Sequence, residues 1–342
     1  PKTISLGLDR VKKIKDLCNL NPDFPLIIVA GTNGKGSCCK FLESILYQAG
    51  FNVGCYTSPH LFNFNERISI NKKLLSSDLI VDSIKYIDDS RENILLTYFE
   101  ITTLAAMDLM IKENVDIAIL EVGLGGRHDA VNVFEPEISL ITSISLDHQD
   151  YLGDTVEKIG YEKAGVFRKN KHAIINFDNP PSSVLGYAND ISANVSIIDT
   201  DYKINCKHEN FDYIGTDRSE VELPYPSIQG LHQLRNIAGV LRCIELLKIN
   251  FDIKKEAIVN GLLECNLRGR LEILSQNPFV VVDVGHNPEA ALCLYNFISK
   301  YKNKGRVCAV FSILEDKSIK DIVGLFINLV DEWHISKINS KR

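Results

Sequence analysis

Three glycines, a lysine and a serine crowd the stretch VAGTNGKGS, residues 29–37. Gly31, Thr32, Asn33, Gly34, Lys35, Gly36 and Ser37 follow an apolar segment, 26–30, and precede the helix-like pattern Phe41, Leu42, Ile45, Leu46. A strand, a glycine-rich turn and a helix N-terminus together offer an anion free backbone N–H groups and the positive end of a helix dipole. Lys35 adds a point charge for the β and γ phosphates of a nucleotide, and the Ser37 hydroxyl suits Mg²⁺. The spacing G-x-x-G-K-G-S is shorter than the usual phosphate-loop pattern. With lysine, hydroxyl and flanking elements all in place, we read the stretch as a phosphate cradle rather than a simple connecting turn.

Other groups fall at the ends of apolar segments. In VDIAILEVGLGGRHDAVN (115–132) a strand pattern runs into Glu121 and then Gly123, Gly125 and Gly126. A carboxylate there reaches the ligand-facing edge of a sheet and could hold Mg²⁺; a solvated residue beside a turn fits the spacing equally well. His148, in SISLDHQDYLG (143–153), would reach the same edge, although a lone histidine is more often a structural hydrogen-bonder. Lys163, in YEKAGVF (161–167), reads by default as a solvated lysine on a helix. Farther on, HQLRN (232–236), RGRLE (268–272) and DVGHNPEAA (283–291) stand out. Asp283 and His286 sit just past a strand, and Asn287 before Pro288 caps a helix whatever else that loop does.

These groups need a frame. Candidate strands at 26–30, 53–56, 117–122, 138–144 and 172–175 alternate with candidate helices at 37–49, 76–88, 100–113 and 155–164. That alternation predicts a doubly wound, mostly parallel sheet, whose ligands lie beyond the carboxyl ends of the strands. From about 176 to 229 the pattern weakens, and short β segments such as 195–199 fit better than helices. Helices return at 232–248 and 254–263. A second α/β set follows: strand 279–284, helix 288–299, strand 306–311, helix 317–329. The expected organisation is a first domain over 1–266, a linker at 267–271 and a second domain over 272–342.

Composition narrows the function classes. The 342 residues are 45% hydrophobic and 24% charged, ordinary for a globular protein large enough for two domains. A net charge of -6 argues against nucleic acid as the main partner. No run of about 18 apolar residues predicts a membrane span, and the first residues show no signal-peptide pattern. Nine cysteines without a C-x-x-C suggest reduced thiols and a cytoplasmic protein.

Taken in order, GTNGKGS, YTSPHLFNFNERI, TYFEITTLAA, LEVGLGGRHDAVN, TSISLDHQDYLG, EKAGVFR, GRLE and DVGHNP resemble the folylpolyglutamate synthase/dihydrofolate synthase family of the Mur ligase superfamily. The resemblance runs from about residue 4 to 334 and is nearest the bacterial bifunctional type. It implies a Mur-ligase-like P-loop domain followed by a smaller Rossmann-like α/β domain. The implied reaction is ATP-dependent addition of L-glutamate to dihydropteroate or reduced folates through an acyl phosphate.

The same resemblance assigns roles. Lys35 contacts the ATP phosphates, and Gly31, Thr32, Asn33, Gly34 and Gly36 form the cradle. Ser37, Ser58 and Glu121 hold a first Mg²⁺, and Glu121 and His148 share a second. Lys163 matches a lysine that these enzymes carbamylate, which reverses the default reading of it; with His148 and Lys35 it forms the catalytic set. Asn236, Arg270, Asp283 and His286 approach the nucleotide. Thr97, Phe99, Asp129 and Ala130 match pterin-site positions. K⁺ is a further candidate cofactor, and a monomer is implied.

Two departures are expected. The chain begins where the family's first helix should be complete, and it stops at INSKR, short of further elements of the second domain. Strands 279–284 and 306–311 alone are too few for a stable sheet. Three other readings compete. A monofunctional folylpolyglutamate synthase fits the same motifs. A cell-wall Mur ligase would carry an N-terminal UDP-binding domain, for which there is no room before Gly31. A non-catalytic nucleotide module would be expected to have lost some of Ser37, Ser58, Glu121, His148 and Lys163.

Overall fold

The computed structural model describes residues 7–247, 251–302 and 305–338. It divides into two compact units, residues 1–227 with 233–266, and residues 228–232 with 267–342.

The first unit opens with α1 (Asp9–Leu17), β1 (Leu26–Ala30), α2 (Lys35–Gln48) and β2 (Val53–Tyr56). Then come β3 (Ile68–Ile70), β4 (Lys73–Leu74), α3 (Ser77–Ser90), α4 (Tyr98–Lys112), β5 (Ile117–Glu121) and β6 (Ile138–Ile141). It continues through α5 (Gln149–Leu152), α6 (Val156–Ala164), β7 (His172–Ile175), α7 (Ser182–Asp190) and β8 (Asn194–Ile197). After β9 (Lys203–Cys206), β10 (Asn210–Ile214) and β11 (Ser219–Pro224) come α8 (His232–Leu246) and α9 (Lys255–Leu263). Residue 248, assigned above to a helix, lies outside the described residues.

Among the described residues eight strands form one sheet in the order β4-β3-β2-β5-β1-β6-β7-β8. The strands from β2 to β8 in that order run parallel, and β3 and β4 add an antiparallel edge. β1 is central because every residue of Leu-Ile-Ile-Val-Ala is buried, as a strand covered on both faces requires. The apolar faces of α1, α3 and α4 pack with one side of the sheet into a continuous core that includes Val11, Ile14, Ile28, Tyr56, Ile80, Met107 and Leu120. Strands β9, β10 and β11 make a separate antiparallel sheet.

Two expectations for this unit need correction. Residues 182–190 form helix α7 within a stretch that favoured short β segments. Val184 and Ala188 are buried one helical turn apart, and the helix start is stabilised from outside. The Glu157 carboxylate on α6 accepts from Ser182 N at 3.0 Å and Ser183 N at 2.8 Å, satisfying donors that no local side chain reaches. Second, β6 stops at Ile141 instead of continuing to 144. Thr142 N still donates to Ala30 O at 2.9 Å, but beyond it the chain bonds to the glycine turn rather than to a strand, as described below.

The second unit contains β12 (Glu272–Gln276), β13 (Phe279–Val282), α10 (Pro288–Ser299), β14 (Cys308–Phe311), α11 (Ile319–Phe326) and β15 (Glu332–Ile335). β12 and β13 pair antiparallel, and β14 and β15 parallel. The unit therefore has four described strands where two were expected. Its buried apolar cluster is small: Ala291, Ile322, Phe326 and Leu329. Among the described residues no helix is long and apolar enough to cross a membrane, and the nine cysteines are free thiols.

Candidate active site

The glycine turn joins β1 to α2 and is fixed from the neighbouring strand. Gly31 (φ +145°) leaves no space for a side chain, since a Cβ there would lie 1.9 Å from Thr142 Oγ1. Thr142 Oγ1 donates to Asn33 O at 2.6 Å, Asn33 N donates to Ser143 Oγ at 3.0 Å, and Thr32 N donates to Ser143 O at 2.9 Å. Gly34 sits at φ +89°, a left-handed conformation that favours glycine. Lys35 opens α2 and folds back, its Nζ donating to Gly31 O at 3.0 Å and Thr32 O at 3.1 Å. Ser37 is buried in the first turn of α2.

Four adjacent parallel strands deliver the remaining groups to this edge. Glu121 ends β5 beside Val29 of β1. Its Oε2 accepts from Ser58 N at 2.9 Å, just past the end of β2. A Cβ on Gly36 would lie 3.8 Å from both Glu121 oxygens, so this carboxylate faces the first turn of α2. His148 follows β6 with φ +51° and begins α5. Among the described residues no group of three or more His, Cys, Asp and Glu could hold a metal. The donors gathered here are instead a buried hydroxyl, Ser37, and a buried carboxylate, Glu121. Such hard oxygen donors fit Mg²⁺, which keeps few protein ligands and shares the rest with phosphates and water.

Lys163, only 4% exposed at the end of α6, donates from Nζ to Gly31 O at 2.9 Å, the same carbonyl that Lys35 holds. Burial and then the neighbouring Lys35 charge lower its pKa to about 7, against the pull of Asp147 and Asp129. The amine is thus neutral in a large fraction of molecules at physiological pH. That contradicts the solvated-lysine reading on environment alone.

A second group lies along the start of α4 and the loop after β5. The Thr97 hydroxyl accepts from Glu100 N at 3.3 Å as an N-cap. The Phe99 ring rests where a Cβ on Gly123 would come within 2.6 Å, and it stands 5.9 Å from the ring of Tyr56. The Asp129 oxygens accept from Leu124 N at 2.8 Å and Val131 N at 3.1 Å. Burial raises the Asp129 pKa to about 7, opposed by those backbone bonds and by Lys35. Ala130 is buried beside it. The mutual influence of Asp129, Lys35 and Lys163 ties this group electrostatically to the glycine turn.

Asn236 belongs to the first unit: its Oδ1 lies 2.3 Å from where a Gly34 Cβ would sit, and its Nδ2 donates to Gln233 Oε1 at 2.9 Å. Arg270, Asp283 and His286 are in the second unit. There Asp283 accepts from Leu271 N at 2.9 Å and Gly285 N at 2.6 Å, shaping the loop that carries His286. Sequence reading missed Thr142 and Ser143, the residues that hold the glycine turn; two hydroxyls after an apolar run were the available signal.

Residues 29–244 match the Mur ligase middle domain, and residues 269–342 match the Mur ligase glutamate ligase domain. The chain belongs to the Mur ligase family. Within that family it is similar to the dihydrofolate synthase/folylpolyglutamate synthases of Haemophilus influenzae (36% identical) and Escherichia coli K12 (37% identical), covering all of this chain and 81% and 80% of theirs. Among solved structures it superposes on E. coli FolC in complex with DHPP and ADP with a TM-score of 0.93 at 34% identity, covering 99% of this chain and 86% of that one. A bifunctional folylpolyglutamate synthase/dihydrofolate synthase with Mn, AMPPNP and L-glutamate bound gives 0.92 at 37% identity, covering 99% and 82%. This Mur ligase family member is an ATP-dependent glutamate ligase.

Proposed function

We propose that the chain joins L-glutamate both to dihydropteroate and to reduced folates, through an acyl phosphate. The observation that carries the reading is the meeting, at one sheet edge, of the phosphate cradle, the Ser58–Glu121 contact and a buried lysine on Gly31. A carboxylate is a poor acyl donor. Its oxygen therefore attacks the γ-phosphorus of ATP, the bond to ADP breaks, and an acyl phosphate results. The amine of L-glutamate then attacks the acyl carbon; the amide forms, phosphate leaves, and the amine loses its proton. The N–H groups of residues 31–37 and the Lys35 ammonium balance charge on the transferring phosphoryl group. Ser37, Ser58 and Glu121 would hold one Mg²⁺, and Glu121 with His148 a second. Bound there, Mg²⁺ neutralises phosphate charge.

Lys163 acts as a carbamate in this scheme. The neutral amine favoured by burial attacks CO₂, loses a proton and becomes an anion, suited to a site beside cations. Thr97, Phe99, Asp129 and Ala130 would bind the pterin, with Phe99 stacking on the flat ring. Asn236, Arg270, Asp283 and His286 would bind the nucleotide. We take the protein to be a cytoplasmic monomer that also uses K⁺.

The test is ADP release with Mg-ATP and L-glutamate, adding either dihydropteroate or tetrahydrofolate. Turnover with both is expected. Turnover with tetrahydrofolate alone reduces the reading to folylpolyglutamate synthesis, and ATP binding without turnover replaces it with a nucleotide module.

A further inference from the structure

Arg67 is an unusual arginine for its depth. It closes the short 3-10 turn Phe64–Arg67 before β3 and is 8% exposed. Its backbone is pinned by Thr57 N donating to Arg67 O at 2.9 Å, one residue before Ser58. Nε donates to His60 Nδ1 at 3.0 Å. The guanidinium carbon stands 5.7 Å from the Phe64 ring centre and 5.5 Å from that of Tyr98. Among the described residues no carboxylate pairs with it, and neither terminal nitrogen has a hydrogen-bond acceptor. Arg242, buried to the same degree, is paired with Glu245 at 2.9 Å.

A buried charge is costly unless it is paired. Two aromatic rings offset part of that cost, but they leave the planar fork of terminal N–H groups unused. The side chain is not fully enclosed, since 8% of the residue's surface remains exposed. Its location says which ligand. Tyr98, over which it lies, opens α4 between the N-cap Thr97 and Phe99, and the Arg67 backbone adjoins the Thr57–Ser58 segment that meets Glu121. Arg67 is thus joined on one side to Tyr98, the neighbour of Phe99, and on the other to the Thr57–Ser58 segment, a placement that suits the acid end of a flat-ringed substrate. The guanidinium fork matches a carboxylate through two parallel bonds.

We propose that Arg67 is a substrate-binding residue whose terminal nitrogens hold a carboxylate of the acid that receives glutamate. This rests on the ligase reading above. The carboxylate is either the one that reacts, present in dihydropteroate and tetrahydrofolate alike, or one on the glutamyl tail of tetrahydrofolate.

The experiment compares wild type, Arg67→Gln and Arg67→Lys in steady-state turnover with each acceptor, with ADP binding and thermal melting as folding controls. Loss of a charged bidentate contact is expected to raise the KM for the acceptor by about 10- to 100-fold, with the KM values for ATP and L-glutamate within about twofold of wild type. Arg67→Lys should recover only part of the loss, because an ammonium lacks the fork. A rise with both acceptors assigns the reacting carboxylate; a rise with tetrahydrofolate alone assigns the tail.

An independent readout is equilibrium binding of the acceptor against its carboxamide analogue. Wild type should discriminate by the same 10- to 100-fold, and Arg67→Lys by clearly less; this comparison stands even where Arg67→Gln does not fold. An active wild type whose acceptor KM is unmoved by Arg67→Lys and that binds acid and amide equally overturns the inference and leaves the ligase reading intact. A wild type that turns over neither acceptor overturns both.

Discussion

At the residue scale, Lys163 is the most exactingly placed side chain. Its folded pKa, about 7, lies below the ordinary lysine value of 10.5. Between those values the folded state sheds a proton that the unfolded chain keeps, so wild-type stability rises with pH through that window. Below pH 7 both states are charged and burial costs on the order of 5 kcal/mol, at about 1.4 kcal/mol per pH unit. Lys163→Met in the ligand-free protein should therefore raise the melting temperature at pH 6, by an increment that shrinks toward pH 9; a pH-independent difference would sink this account. The same variant should lose about 100-fold or more in turnover. In CO₂-depleted buffer, added bicarbonate should raise wild-type activity and leave the variant unchanged, as ADP release would record. None of this was legible from the residue itself: YEKAGVF looks like a solvated helix until Gly31 O is brought to Nζ from more than a hundred residues away.

At the element scale, the decisive contacts pass between neighbouring strand ends. Gly34→Ala places a methyl 2.3 Å from Asn236 Oδ1 at a positive φ. It should cost about 1–2 kcal/mol for the backbone alone, and more for displacing Asn236. The KM for ATP should rise more than that for the acceptor. Gly123→Ala works on the other side, pushing the Phe99 ring from a contact of 2.6 Å. There the acceptor KM should rise with nucleotide binding preserved, and equal changes in both would refute the separation of the two groups. Strands β1, β2 and β7 and helix α10 were readable to the residue because their apolar periodicity or caps are local. Helix α7 was not, because the carboxylate that caps it comes from α6.

At the scale of the whole molecule, the two units differ in how much apolar surface they bury. The first has a large continuous core under an eight-stranded sheet. The second has four buried apolar residues in its cluster and several exposed ones, including Val310 and Ile335 on the paired strands β14 and β15. Stability follows buried area, so the second unit should open first. Hydrogen exchange should find the amides of β14 and β15 exchanging at least tenfold faster than those of β1 and β5; equal protection would contradict this.

By itself the sequence determined the alternating α/β architecture, the glycine-rich turn between a strand and a helix and, through its ordered motifs, the family. Those signals are carried by neighbours in the chain: glycines that permit a turn, apolar residues at period two or 3.6, a lysine and serine opening a helix. Tertiary structure decided which ambiguous side chains share one environment. It set Glu121 against Ser58 N, put Lys163 out of water on Gly31 O, and left Arg67 buried with no carboxylate partner among the described residues. The physical reason is that burial and charge pairing depend on distance in space, and a parallel sheet brings strand ends together that the sequence keeps far apart.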